Sequence, residues 1–253
     1  TTTKVYDGNT TSTAIPAITL GTLKSLDVAN FTESYTSSST GTGLTMVPTG
    51  TVNDGNSGLN YAVTFTNSTN GAITAKALTV TGLSATGKTY DGTTTASLTG
   101  TIALNGIVSP DVVSDSGAAV GTFTSANIGT NSVTVSGITL TGADAGNYTV
   151  TQPTLSATIT ALGITVTASS TQAKVYGTSD PVFTYSNSPA LIGGDTFSGS
   201  LTRLGGTDVG AYAIGQGSLS ASTNYTITFV PNNFTITAKP ITVTASSTQS
   251  KIY

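Results

Sequence analysis

Apolar and polar residues alternate in short runs along almost the whole chain. In residues 61–66, Tyr61, Val63 and Phe65 fall on one side, and small or polar residues fall on the other. The same period of two returns in residues 225–229 and 241–245. Such alternation is typical of half-buried β-strands. No stretch shows a convincing helical period, so the pattern predicts an all-β fold with essentially no helix.

Turn signals separate these runs. Asp-Gly occurs at residues 7–8 and 91–92, and Asn-Gly occurs at residues 70–71 and 105–106. Both dipeptides favour tight hairpin turns, because glycine readily adopts a positive φ. Many short strands with regular turns predict small β-sandwich or β-grasp-like modules.

Several motifs recur in constant order, which indicates tandem repeats. Lys-x-Tyr begins at residues 4, 88, 174 and 251, in steps of 84, 86 and 77 residues. Asn-Tyr recurs at residues 60, 147 and 224, and an Ile-Thr-Ala motif follows it each time. We interpret the repeated residues as structural determinants of each module. They are Lys4, Tyr6, Asp7, Gly8, Lys88, Tyr90, Asp91, Gly92, Lys174, Tyr176, Gly177, and the pairs Asn60-Tyr61, Asn147-Tyr148 and Asn224-Tyr225.

The repeats divide the chain into three modules and the start of a fourth. We place them at residues 1–75, 76–160, 161–237 and 238–253, and we expect the first to lack its leading strand. An alternative phase ends each module at Lys-x-Tyr, and the sequence leaves both phases open. Linkers are nearly absent, because each Ile-Thr-Ala motif runs directly into the next strand. Short connections of this kind predict an elongated, stiff rod.

Composition narrows the chemistry. Threonine and serine number 55 and 30, charged residues are only 8% of the chain, and the net charge is −3. The chain has no cysteine and no histidine, which excludes disulfides, thiolate metal sites and the commonest general base. No paired carboxylates or phosphate-binding loop appear, so we expect no catalytic residue, cofactor or metal. The negative net charge argues against nucleic-acid binding. The absence of a long apolar run argues against insertion into a membrane.

The motifs resemble those of a known group of modules. Lys4-Val5-Tyr6-Asp7-Gly8 and Lys88-Thr89-Tyr90-Asp91-Gly92 resemble the YDG type. Lys174-Val175-Tyr176-Gly177, followed by Asp180-Pro181 and Leu201-Thr202-Arg203, resembles the YGX type, also called MBG. Such modules are typical of filamentous-haemagglutinin-like adhesins of Gram-negative bacteria. The resemblance implies a non-enzymatic adhesive or scaffolding role outside the cell, at the bacterial surface. It supplies no ligand.

Two motifs carry an alternative chemistry. Asp7 and Asp91 could bind Ca²⁺, which prefers oxygen ligands, but a turn explains Tyr-Asp-Gly more simply. The recurring tyrosines could form a sugar-stacking strip, but a position present in every repeat is more typical of packing.

Three functions remain as hypotheses. The first is a stalk segment that spaces a binding region from the cell, with neighbouring modules as its partners. The second is a carbohydrate-binding array for host or matrix glycans, using loops 36–43, 111–120 and 190–199. The third is a filament of identical copies, in which the strand at residues 241–244 of one chain completes the first module of the next.

Overall fold

The structure, a computed structural model, describes residues 2–253. Strands make up 48% of the residues and helix makes up 1%. Within the described residues, the only helical segment is the 3₁₀ turn Ala145–Asn147. The prediction of an almost all-β chain is therefore confirmed. No helix in residues 2–253 has the length and apolar character needed to cross a bilayer.

The strands are short and follow one another closely. In chain order they are β1 Thr2–Val5, β2 Val28–Tyr35, β3 Gly41–Asn53, β4 Ser68–Thr74, β5 Lys76–Thr86, β6 Lys88–Thr89, β7 Thr95–Asn105, β8 Ser114–Ser116, β9 Val120–Phe123, β10 Gly129–Ser136, β11 Thr139–Thr141, β12 Tyr148–Thr151, β13 Thr154–Thr160, β14 Leu162–Ala168, β15 Ala173–Val175, β16 Tyr185–Ser188, β17 Thr202–Arg203, β18 Gly210–Gly215, β19 Tyr225–Val230 and β20 Asn232–Thr237.

The chain forms two compact units. Unit 1 contains the residues up to Thr86, together with Thr95–Phe123 and Ser132–Ser156. Unit 2 contains Gly87–Thr94, Thr124–Asn131 and Ala157–Tyr253. Unit 1 thus holds the first repeat and most of the second. Unit 2 holds the rest of the second repeat, the third repeat and the start of the fourth. The repeat boundaries stay a prediction from the sequence.

Unit 1 contains two main sheets. One has the order β1-β4-β3-β2, with β1 parallel to β4 and the other pairs antiparallel. In the other, β12 pairs in parallel with β5, and β5 pairs antiparallel with β7. The core of the unit is a cluster of buried aromatic and aliphatic side chains, namely Tyr6, Tyr35, Met46, Ile73, Leu78 and Tyr148. Half of its members are tyrosines, so the core contains hydroxyl groups that need partners.

Unit 2 contains the sheets β16-β14-β19 and β15-β20-β18-β17. In the first sheet, β14 pairs in parallel with β19. Phe234 on β20 is fully buried, and its ring centroid lies 5.2 Å from that of Phe183 in an edge-to-face contact. Ile236 and Ile214 are also fully buried. Along β20, Phe234 and Ile236 alternate with exposed residues, which agrees with the half-buried strand that the sequence predicts.

Two predicted strands are wrong in this structure. Residues 61–67 and residues 241–245 are in no strand, and most of their side chains are exposed. The equivalent segments in the other repeats are strands because each has a parallel neighbour: β12 lies beside β5, and β19 lies beside β14. Alternation gives a segment the capacity to be a strand, but the hydrogen bonds must come from a neighbour.

Truncation of the most enclosed aromatic ring should destabilise unit 2. We expect Phe234→Ala to lower the free energy of unfolding by about 3–5 kcal/mol, because it removes apolar contacts and leaves a cavity. The exposed Val243→Ala is the control and should change it by less than about 0.5 kcal/mol. Urea unfolding followed by tyrosine fluorescence measures both. Equal effects of the two substitutions would contradict this view of the core.

Candidate functional site: a tyrosine–carboxylate joint between repeats

The first three Lys-x-Tyr motifs are held by the same backbone contacts. Its lysine lies opposite the isoleucine of the Ile-Thr-Ala motif on a parallel strand. The tyrosine amide then donates a hydrogen bond to the carbonyl of the next threonine. The lysine pairs are Lys4 with Ile73, Lys88 with Ile159, and Lys174 with Ile236. The three N···O distances, from Tyr6 to Thr74, Tyr90 to Thr160 and Tyr176 to Thr237, are 2.9, 2.8 and 2.9 Å.

The Tyr-Asp-Gly segments are turns, as the sequence predicts. Asp7 Oδ1 accepts from the amide of Asn9 at 3.1 Å, and Asp91 Oδ1 accepts from that of Thr93 at 2.9 Å. Lys4 and Lys88 each contact their aspartate at 2.7 Å. The hydrogen bond from Lys88 lowers the pKa of Asp91 below its usual value. Both carboxylates therefore form hydrogen bonds and ion pairs within their own turns.

The third repeat makes the same ion pair with an aspartate from elsewhere in the sequence. Gly177 follows Tyr176 directly, and Lys174 Nζ contacts Asp180 Oδ1 at 2.6 Å. Arg203 Nε adds a second contact to Asp180 Oδ2 at 2.7 Å. The hydrogen bonds from Arg203 and Lys174 lower the pKa of Asp180. The lysine of Lys-x-Tyr therefore has a carboxylate partner in every repeat.

In unit 1, the tyrosine of the first Lys-x-Tyr meets the second repeat. The hydroxyls of Tyr6 and Tyr148 both donate to Asp111 Oδ2, at 2.8 and 2.5 Å. The Tyr148 oxygen also accepts from the amide of Val108 at 3.0 Å. The two rings pack edge to face, with centroids 5.3 Å apart. One carboxylate oxygen thus binds two tyrosines from successive repeats.

Unit 2 repeats this arrangement between the second and third repeats. The hydroxyls of Tyr90 and Tyr225 donate to Asp195 Oδ2, at 3.0 and 2.6 Å. The amide of Ile192 donates to the Tyr225 oxygen at 2.9 Å, and the ring centroids are again 5.3 Å apart. The sequence separation between the Lys-x-Tyr tyrosine and its aspartate is 105 residues in both units. We call each such trio of two tyrosines and one aspartate a joint.

The asparagine of Asn-Tyr adds a second contact to each joint. The amide of Thr40 donates to Asn147 Oδ1 at 3.0 Å in unit 1. In unit 2, the amide of Ile128 donates to Asn224 Oδ1 at 3.1 Å. Thr40 and Ile128 both precede a Gly-Thr pair at which a strand begins. Both residues of the Asn-Tyr motif therefore contact the preceding repeat.

The glycine after Tyr-Asp brings the turn close to the acceptor loop. A Cβ on Gly8 would lie 3.0 Å from Val108 Cγ1, and one on Gly92 would lie 2.8 Å from Ile192 Cγ2. Gly177 has the same left-handed backbone, with φ +86° against +73° at Gly92, but its surroundings are open. Close approach at the joint and a positive φ together explain why glycine is used at this position.

The joint tyrosines are held in their neutral form. All four are only 5–8% exposed. Burial is the main cause that raises the pKa of Tyr6 to about 12, followed by the hydrogen bond to Asp111 and its negative charge. The same causes raise the pKa values of Tyr90, Tyr148 and Tyr225. A neutral hydroxyl can donate to the carboxylate, whereas a tyrosinate would repel it.

The four joint tyrosines are not available for sugar stacking, and the described residues contain no metal cluster. No group of three or more acidic side chains within residues 2–253 is arranged to hold a metal ion. In the loop at residues 53–58, Asp54 accepts from the amides of Asn56, Gly58 and Asn60, so it too is used in a turn. The faces of the joint tyrosines are buried against each other. The chemistry of these residues is that of a structural contact.

The structure brings the sequence-marked residues together across repeats, and it adds a class that the motifs missed. The missing members are the acceptor aspartates Asp111 and Asp195, to which Asp27 corresponds in the first repeat. These three residues are spaced by 84 and 84, the step that also separates Lys4 from Lys88. That spacing was one available signal. Asp27 and Asp111 also share a serine two residues before and a valine one residue after, whereas Asp195 has Gly193 and Thr196 at these positions.

Comparisons with known proteins assign two of the repeats. Residues 74–157 match the family model of the YDG domain, and residues 164–235 match that of the MBG domain (YGX type). These matches confirm the resemblance at the level of the domain names. The first repeat as a YDG module stays a prediction. No curated protein and no solved structure matches the chain.

Glycine at the joint can be tested with a matched pair of substitutions. We expect Gly92→Ala to destabilise unit 2 by about 2–4 kcal/mol, because the new methyl adds a clash to the cost of a positive φ. Gly177→Ala has a similar φ but open surroundings, so it should cost only about 1–2 kcal/mol. Urea unfolding of each variant gives the difference. A cost for Gly177→Ala equal to that of Gly92→Ala would argue against close contact at the joint.

The raised tyrosine pKa values predict alkaline weakening. Unfolded tyrosine ionises near pH 10, whereas Tyr6 in the folded chain ionises near pH 12. The unfolded state therefore loses protons first, so stability falls as the pH rises from about 10 to about 12. Urea unfolding across this range should show the decline.

A variant carrying both Tyr6→Phe and Tyr148→Phe is the control for that pH dependence. It keeps every lysine and every aspartate, so its ion pairs are the same as those of the unchanged chain. Its free energy of unfolding should be lower than that of the unchanged chain below pH 10, and it should fall less steeply as the pH rises. An unchanged slope would contradict a contribution from the joint.

Proposed function

We propose that this chain is a non-enzymatic stalk segment of a secreted bacterial surface adhesin. Its three β-modules stand in series and space a binding region from the cell. The observation that carries this proposal is the use of the repeated residues. Tyr6, Tyr90, Tyr148 and Tyr225, with their aspartates, hold successive repeats together rather than lining a cleft.

The joint supports a mechanical role for the array. Each joint combines two charge-assisted hydrogen bonds with an edge-to-face ring contact, and each carboxylate bond is worth about 1.5–3 kcal/mol. In a tandem array, stability is approximately the sum of module terms and nearest-neighbour terms. Strong neighbour terms restrict bending between modules, and this favours an extended rod of small sandwich modules.

The surface composition fits a spacer. Charged residues are 8% of the chain, and the exposed faces of the strands are rich in threonine. A surface of short hydroxyl side chains stays solvated and offers few charged anchors for a partner. The matches to YDG and MBG domains, modules that are typical of large surface adhesins, support the same proposal.

The proposal is tested by exchange in the full-length surface protein. We expect that replacing this segment with an unrelated rigid β-module array of equal length will preserve adhesion of intact cells. A spacer acts through its length, so deletion of the segment should reduce adhesion. Antibodies against the chain should label intact cells of the wild type, without permeabilisation.

The opposite results are equally clear. Loss of adhesion in the exchanged protein, despite normal surface labelling, would assign binding to this segment. Labelling only after permeabilisation would contradict an extracellular location.

A further inference from the structure

Unit 1 contains two Asn-Gly pairs, at residues 70–71 and 105–106. Asparagine is one of the chemically labile residues. The backbone amide nitrogen of the following residue can attack its side-chain carbonyl carbon, and glycine leaves that attack unhindered because it has no Cβ. The two pairs share this chemistry, so the local structure decides which of them reacts.

The pair at residues 105–106 is open to this reaction. Asn105 is the last residue of β7, and both it and Gly106 are exposed. Gly106 lies outside the strands with a φ of +106°, and among the described residues its amide has no hydrogen-bond acceptor. Asn105 Nδ2 donates to Thr81 Oγ1 at 2.9 Å and to the carbonyl of Ala103 at 3.4 Å, both at the surface. Solvent therefore reaches both the attacking amide and the leaving group.

The pair at residues 70–71 is closed to the same reaction. Gly71 is buried in the middle of β4, opposite Thr2 on β1 and Leu44 on β3. A Cβ on Gly71 would lie 2.7 Å from Met46 Sδ, so the backbone is tightly packed at this point. With a strand on each side, the Gly71 amide cannot turn towards the Asn70 side chain unless the sheet opens locally.

The Asp-Gly turns next to the two joints are protected in a different way. Aspartate can form the same ring only if a carboxyl oxygen leaves as water, which requires a protonated carboxyl group. Lys88 and the amide of Thr93 bind Asp91 Oδ1, and the hydrogen bond from Lys88 lowers the pKa of Asp91. Lys4 contacts Asp7 Oδ1 at the same distance, 2.7 Å. Both groups are therefore carboxylates at neutral pH and resist ring closure.

We propose that Asn105 is a site of spontaneous deamidation, and that its conversion weakens the joint between the first and second repeats as the molecule ages. The Gly106 amide nitrogen bonds to Asn105 Cγ, and its proton leaves with the side-chain nitrogen as ammonia. Water then opens the cyclic imide at either carbonyl carbon. The products are aspartate and isoaspartate, and each replaces a neutral amide with a negative charge.

The reacting backbone lies beside the core that the joint completes. A Cβ on Gly106 would lie 3.5 Å from Leu78 Cδ2. Leu78 is fully buried, and it belongs to the same cluster as the joint tyrosines Tyr6 and Tyr148. A change in the length of the backbone at Gly106 therefore acts directly on the packing of this core.

The acceptor turn of the joint begins immediately after the reacting pair. Ile107 and Val108 pack against the core, and the Val108 amide donates to the Tyr148 oxygen at 3.0 Å. The amide of Asp111 in turn donates to the Val108 carbonyl at 2.8 Å. Isoaspartate at residue 105 adds one carbon to the backbone just before these residues. The additional length displaces the turn that holds both tyrosines.

The other joint does not contain this reactive pair. Asn105 stands six residues before the acceptor Asp111, whereas Pro189 stands six residues before the acceptor Asp195. Ala190 follows Pro189 in the place of Gly106. Proline has no side-chain amide to lose, so the joint in unit 2 is an internal control for the joint in unit 1.

Timed incubation of the full chain at mildly alkaline pH tests the site. Hydroxide removes the amide proton, so conversion should be faster than at neutral pH. Protease digestion and mass spectrometry locate each conversion by the mass difference between an amide and an acid. We expect Asn105 to convert at least about tenfold faster than Asn70, where the sheet must open first. Asn105→Gln is the control, because glutamine would have to close a larger ring, which forms more slowly.

Hydrogen–deuterium exchange tests the effect on the joint. Anion exchange isolates the converted chain by its additional negative charge. We expect this chain to lose protection in residues 107–111, and to keep it in residues 191–195 of the other joint. Asn105→Asp carries the charge without the additional backbone carbon, so it should keep more protection than the isoaspartate product. Circular dichroism before incubation confirms that each variant is folded.

Three outcomes would overturn the proposal. The first is conversion of Asn105 at the same rate as Asn70. The second is unchanged protection of residues 107–111 in the isoaspartate product, which would separate the modification from the joint. The third is an equal loss of protection in both joints, which would indicate general unfolding in place of a local effect.

Discussion

The structure depends on one interaction, the sharing of a single carboxylate oxygen by two buried tyrosine hydroxyls. A buried hydroxyl without a partner costs free energy, and a partly buried carboxylate also needs hydrogen-bond donors. In each joint these groups satisfy one another, and the rings that carry them fill the core between two repeats. Because the two tyrosines come from different repeats, neither repeat completes this network alone. The tyrosines that define the sequence motifs are therefore the residues by which neighbours are joined.

Local features of this arrangement could be read from the sequence. Alternation predicts most of the strands, and Asp7-Gly8 and Asp91-Gly92 predict the turns that follow Tyr6 and Tyr90. The pairing of these tyrosines could not be predicted in the same way. Tyr6 meets Asp111 across 105 residues, and nothing in a strand pattern specifies which loop of the next repeat lies beside it. The equal spacing of Asp27, Asp111 and Asp195 carries that information, together with the Ser-x-Asp-Val sequence that the first two share.

The third repeat and the unpaired segments show why sequence patterns are incomplete. Asp180 replaces the aspartate that follows tyrosine in the other repeats, since a lysine requires a nearby carboxylate rather than a fixed sequence position. Residues 61–67 have the same alternation as β12 and β19 and are in no strand. The difference lies in the neighbouring chain segment, which a one-dimensional pattern does not contain. The lysine–carboxylate contact of Lys-x-Tyr is thus kept although the sequence position of the carboxylate changes.

The two joints are built alike although they connect different kinds of repeat. One joint connects the first repeat to the YDG domain, and the other connects that YDG domain to the MBG domain. A repeat that carries Lys-x-Tyr on one face, and an aspartate turn with Asn-Tyr on the other, can thus form the same joint with any other repeat of this kind. A gene that encodes such an array can gain, lose or reorder whole repeats by in-frame recombination without creating an unmatched surface. The length of the protein can therefore evolve separately from its fold.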